Sequence, residues 1–71
     1  MPLKNRVKEF RASKGINQQE LGTLGGVSRQ IISLIERGDY NPSITLALKT
    51  AHVFCQNVEE AFILTEDDYE G

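Results

Sequence analysis

Apolar residues recur along the chain at three- and four-residue steps, the spacing of amphipathic helices. Leu3, Val7 and Phe10 form the first stripe and predict a helix over 3–14 that Gly15 ends. Asn17, with Glu20 three residues on, makes a capping box, and Ile16 and Leu21 take the staple positions across it. A second helix therefore starts at Gln18. Ser28 repeats the cap, with Val27 and Ile32 as its staple. Gly38 stands where a left-handed residue would close a third helix ending at Arg37. Gly26 falls where the turn between the two helices calls for positive φ.

A fourth helix, capped by Ser43 or Asn41, is expected to run to about Phe54, burying Ile44, Ala47, Leu48, Ala51 and Phe54. Leu46 and Val53 fall outside that stripe and read equally as a dimer patch or as isolated exposed apolars. Asn57 and Glu60 repeat the capping-box pattern and predict a short fifth helix through about Phe62. Phe62, with Ile63 or Leu64, is expected to close the core or to meet a second subunit. The domain is thus placed at residues 1–64. Residues 65–71 have little to bury and are expected to form an acidic, mobile tail.

The third helix carries the candidate chemistry. Ile32 and Ile35 share one face and should be buried, which turns Ser28, Arg29, Gln30 and Ser33 elsewhere as a polar row. A helix fits the DNA major groove, where Arg can bond guanine O6 and N7 and Gln can bond adenine N6 and N7. A solvated face is the ordinary explanation of such a row. The tight turn, the two caps and their spacing favour the groove-reading one.

Gly15-Ile16-Asn17-Gln18-Gln19-Glu20-Leu21, Gly26-Val27-Ser28-Arg29-Gln30, Ile35-Glu36-Arg37-Gly38 and Tyr40-Asn41-Pro42-Ser43 follow one another in order. Through these blocks the chain resembles the helix-turn-helix domain of the phage repressor and Cro superfamily, the XRE family, from Leu3 through Phe62. The resemblance implies an all-α, five-helix, lambda-repressor-like domain with the helix-turn-helix at its second and third helices. It implies a pairing of Arg11 with Glu36 that ties the first helix to the recognition helix. It also places the Gly38–Ser43 loop beside the DNA backbone, with Arg37, Tyr40 and Asn41 as phosphate donors. The helix start after Asn17 can hold a phosphate as well, which brings Gln18 close to the DNA. Base reading is therefore expected from Gln18, Ser28, Arg29, Gln30 and Ser33, and phosphate binding from Asn17, Arg37, Tyr40 and Asn41.

The chain departs from the family pattern at several places. Gly25 stands where a core valine is common. Gly22 replaces the usual alanine, at a helix-propensity cost of about 1 kcal/mol. Cys55 takes the place of a helix-ending glycine, where a left-handed backbone is strained. Ile31 and Leu34 are apolar on a helix that commonly carries polar residues there, and Ile31 is placed either against a thymine methyl or in an exposed apolar patch.

The formal charge of −2 over 71 residues argues against nucleic acid until its distribution is read. Residues 1–58 hold all eight Lys and Arg against Glu9, Glu20, Glu36 and Asp39, a balance of +4, whereas residues 59–71 carry six acids and no base. A basic body can still attract phosphates over one face. With 71 residues the chain is expected to form a single domain, and with one cysteine it can form no internal disulfide. The absence of a long apolar run predicts a cytoplasmic protein with no membrane partner. His52 and Cys55 are too few for a structural zinc site and read as a partly exposed histidine and a small buried thiol. Neither a metal, a cofactor nor an enzymatic activity is expected. The leading expectation is a regulator, most simply a repressor, that binds double-stranded DNA at a palindromic operator as a homodimer. The alternative is a protein-interaction module such as an antitoxin or an adaptor.

Overall fold

Asn5 decides where the first helix begins. Its side-chain Oδ1 accepts from Val7 N–H at 3.2 Å, and the helix begins at Val7, with Lys4 and Asn5, expected inside it, lying before it as a strand. The computed structural model describes residues 4–65. Leu3 and the acidic run at 66–71 lie outside the described residues. Lys4–Asn5 form a short strand (β1), followed by five helices: α1 (Val7–Lys14), α2 (Gln18–Gly25), α3 (Arg29–Glu36), α4 (Ile44–Val53) and α5 (Val58–Ala61). A second short strand, β2 (Phe62–Ile63), pairs antiparallel with β1, Lys4 opposite Ile63 and Asn5 opposite Phe62. The all-α architecture is the expected one, and the small ribbon joins the two ends of the described chain. At the surface of α1, Arg6 donates to Glu9 at 3.0 Å and lies 4.7 Å above the Phe10 ring. Its hydrogen bond and positive charge hold the Glu9 carboxyl below the ordinary range.

Val7, Leu21, Ile32, Ile35, Leu46, Ala47, Phe54, Ala61 and Phe62 form one buried cluster drawn from every helix. Each large aliphatic side chain in it contributes about 1.5–3 kcal/mol by leaving water. Phe10 packs on Phe54 with ring centroids 5.7 Å apart and planes tilted by 57°, a geometry that suits the ring quadrupoles.

The fourth helix buries Ala47, Ala51 and Phe54 as expected but is turned away from Ile44 and Leu48 toward Leu46 and Thr50. Leu46 is buried, whereas Ile44 is 79% exposed and Leu48 54%. Apolar residues lie on both sides of this helix, so their spacing alone does not choose. Two neighbours do. Thr50 faces the core and satisfies its hydroxyl by donating to the Leu46 carbonyl at 2.8 Å. Gly25, buried on α2, leaves the space that Leu46 fills: a Cβ at Gly25 would meet Leu46 Cδ1 at 2.9 Å. The missing valine is thus offset from the facing helix. Val53 is half-buried against the same core.

Gly22 also has a packing role that its helix propensity does not suggest. A Cβ there would lie 2.7 Å from the Val27 carbonyl oxygen, so its bare backbone lets the turn close onto α2. Gly26 makes that turn at φ 77°, and Val27 N–H reaches the Gly22 carbonyl at 2.8 Å. Gly15 and Gly38 are left-handed after α1 and α3 in the same way. Cys55 occupies the corresponding place after α4 at φ 55°, with its N–H bonded to His52 O at 3.0 Å and that of Gln56 to Ala51 O at 3.0 Å. The thiol is exposed, not buried, because the left-handed turn carries it away from the core. Before α5 the expected capping box is absent. Asn57 makes no side-chain cap and donates through Nδ2 to Glu60 Oε1 at 3.1 Å instead.

Two substitutions check these readings. Gly22→Ala should destabilise the fold by about 1–3 kcal/mol in urea unfolding, because overpacking against a backbone carbonyl outweighs the gain in helix propensity. Cys55→Gly should raise the unfolding free energy by about 1 kcal/mol by removing the left-handed penalty.

Candidate nucleic-acid interface

The second and third helices are fixed at both ends by local bonds. Asn17 Oδ1 accepts from Glu20 N–H at 2.7 Å and Glu20 Oε1 accepts from Asn17 N–H at 3.0 Å, a complete capping box on α2. Ser28 Oγ accepts from Ile31 N–H at 3.3 Å and starts α3. At the far end of α3, Gly38 N–H bonds Ile35 O at 3.0 Å and Asp39 N–H bonds Leu34 O at 2.9 Å, closing the helix in a paired motif. Ile32 and Ile35 point inward, 1% and 2% exposed. That burial sets the rotation of α3 and leaves Ser28, Arg29 and Gln30 exposed, with Ser33 half-buried beside them. Ile31 is also half-buried and packs against the core, and Leu34 is half-buried.

The C-terminal end of α3 is braced by a polar joint. Arg11 Nε donates to Glu36 Oε2 at 2.7 Å and Nη2 to Oε1 at 3.3 Å. Arg11 Nη1 donates to the Ile16 carbonyl at 3.0 Å. The Glu36 side chain is 4% exposed and that of Arg11 17%, so removing one partner would strand a buried charge at a cost of about 3–5 kcal/mol. Gln18 joins the same carboxylate, donating from Nε2 to Glu36 Oε1 at 3.0 Å. It is therefore half-buried at the seam of α2 and α3. Asn5 adds a brace from β1, with Nδ2 donating to the Ile35 carbonyl at 2.8 Å. No spacing in the sequence announces this contact, because its partners stand 30 residues apart.

Arg11, Asn17, Gln18, Gln19 and Arg29 line one polar cleft of about 380 Å³. The structure thus brings Gln18 and Arg29 to a common opening at the start of α2. Arg37, Tyr40 and Asn41 lie apart from that cleft in sequence, on the exposed segment after α3. Arg37 Nε is 3.4 Å from Asp39 Oδ2, with both side chains about 60% exposed. Such a pair is weakly held, so the guanidinium can exchange Asp39 for another anion. Tyr40 is 44% exposed. Among the described residues no group of three or more His, Cys, Asp and Glu is placed to hold a metal ion. No helix among them is long and apolar enough to cross a membrane.

The sequence profile of the helix-turn-helix family matches residues 7–54. The uncharacterized HTH-type transcriptional regulator YgzD of Bacillus subtilis (strain 168) is 47% identical over 66 residues, covering 93% of this chain and all of that protein. Among solved structures, the N-terminal DNA-binding domain of SinR from Bacillus subtilis superimposes with a TM-score of 0.69 at 36% identity, over 76% of this chain and 80% of that one. The P22 c2 repressor protein in complex with a synthetic operator superimposes with a TM-score of 0.74 at 28% identity, over 76% of this chain and 82% of that one. A capped helix pair around a glycine turn, the braced third helix and these matches together make the chain a member of the helix-turn-helix family of repressor- and Cro-like DNA-binding transcriptional regulators.

Proposed function

We propose that the protein is a sequence-specific repressor of the cytoplasm that binds a palindromic operator as a symmetric dimer, with half-sites about 34 Å apart. The observation that carries this reading is the rotation of α3. With Ile32 and Ile35 in the core, Arg29 and Gln30 stand exposed in the first turn of a short capped helix. Arg29 offers a fork to guanine O6 and N7, and Gln30 offers the donor–acceptor pair that matches adenine. Ser28, Ser33 and Gln18 assist as shorter or partly buried base contacts. Asn17 at the start of α2, and Arg37, Tyr40 and Asn41 after α3, bind phosphate oxygens and fix the register without reading bases. The solved operator complex of the P22 c2 repressor supports the DNA-binding part of this reading.

Selection of bound sequences from random duplex DNA tests the whole proposal. A two-fold symmetric motif with half-sites one helical turn apart is the expected result, and enrichment of no motif at all would overturn it. Against the selected operator, Arg29→Ala should cost about 1–3 kcal/mol and relax preference at one base pair per half-site. Arg37→Ala should weaken binding evenly across operator variants and shallow the log–log salt slope by about one per bound copy.

A further inference from the structure

Gln18 sits where its amide could face either way, and Glu36 removes the choice. The carboxylate oxygen that receives Gln18 Nε2 at 3.0 Å also lies 3.3 Å from Arg11 Nη2, and the Glu36 side chain is almost fully buried. An ionised carboxylate accepts and cannot donate. Flipping the Gln18 amide would set two oxygens against each other in a site shielded from water. The NH2 group is therefore held inward, and the carbonyl Oε1 with the second amide hydrogen is left for the cleft that Gln18 shares with Arg29.

We propose that Glu36 is a positioning residue for operator recognition, which fixes the Gln18 amide so that it presents its carbonyl oxygen to a donor in the major groove. The matching edge is adenine, whose N6–H donates to Oε1 while N7 accepts the remaining amide hydrogen. A phosphate oxygen can take the second amide hydrogen but offers nothing to Oε1, whereas adenine engages both. Gln18 thus offers both a donor and an acceptor to a base edge, and the ion pair that braces the helices also sets one letter of the operator. This inference rests on the base-reading role of α3.

Glu36→Gln provides the test, because it keeps the shape and the reach but can donate as well as accept. The Gln18 amide is then free to turn. Binding of the selected operator and of its single-base variants is measured for the parent, Gln18→Ala, Glu36→Gln and the double variant, at a temperature where melting curves show each is folded. Gln18→Ala should lose on the order of tenfold in preference for adenine at one position. Glu36→Gln should lose the same preference at that position while the Arg29 position keeps its own. The double variant should lose no more than Gln18→Ala. Additive losses in the double variant, an equal loss at every position with Glu36→Gln, or no loss with Gln18→Ala would overturn the proposal. A parent protein with no base preference anywhere would instead overturn the regulator reading beneath it. Should Glu36→Gln not fold, amide NMR of the parent decides. One Gln18 Nε2 hydrogen shifted downfield and slow to exchange is expected, and two averaged, fast-exchanging hydrogens contradict it.

Discussion

The buried carboxylate of Glu36 is the joint on which the geometry of the interface depends. It takes two hydrogen bonds from Arg11 on α1 and one from Gln18 on α2, while Arg11 reaches back to the Ile16 carbonyl just before α2. Three helices that share the buried core are thereby also locked at one polar point. A buried ion pair is a weak source of net stability but an expensive one to leave half-made. Its effect here is to exclude arrangements in which the end of α3 swings away from α1 and α2. Asn5 restricts the same helix end from the other side through the Ile35 carbonyl.

Hydrophobic packing fixes the remaining freedom. Burial of Ile32 and Ile35 sets the rotation of α3, and the bare backbone of Gly22 lets the turn approach α2 closely enough to set the angle between them. Gly25 and Leu46 show how the chain keeps its core filled where a larger side chain is absent on α2. Together these contacts hold the start of α3 in place with Arg29 and Gln30 exposed in its first turn. Rigidity matters for recognition, because side chains already ordered on a fixed helix lose less entropy on binding.

Features governed by neighbours in sequence were legible from the sequence. The capping box of Asn17 and Glu20, the Ser28 cap and the left-handed Gly26 and Gly38 each depend on residues within a turn of one another. So does the strain at Cys55, which takes a glycine's place. The Arg11–Glu36 pair was expected from the family resemblance, since nothing in the spacing of residues 25 apart would suggest it. What escaped was decided by distant partners together with local side-chain bonds that no spacing pattern announces. The face of α4 turned on Gly25 and on a satisfied Thr50, so Leu46 went inward and Ile44 outward. The start of α1 turned on Asn5 and on a strand pairing with Phe62 and Ile63. The hold of Glu36 on Gln18 joins the ends of two helices that local patterns treat separately.

The central claim is that a braced α3 delivers Arg29 and Gln30 to base edges. A crystal structure of the protein on its selected operator tests it most directly. The account predicts α3 in the major groove with the Arg29 guanidinium within hydrogen-bond distance of a guanine O6 and N7 and Gln30 against a neighbouring base. A complex in which α3 lies outside the groove, or in which both side chains turn away from the bases, would contradict it.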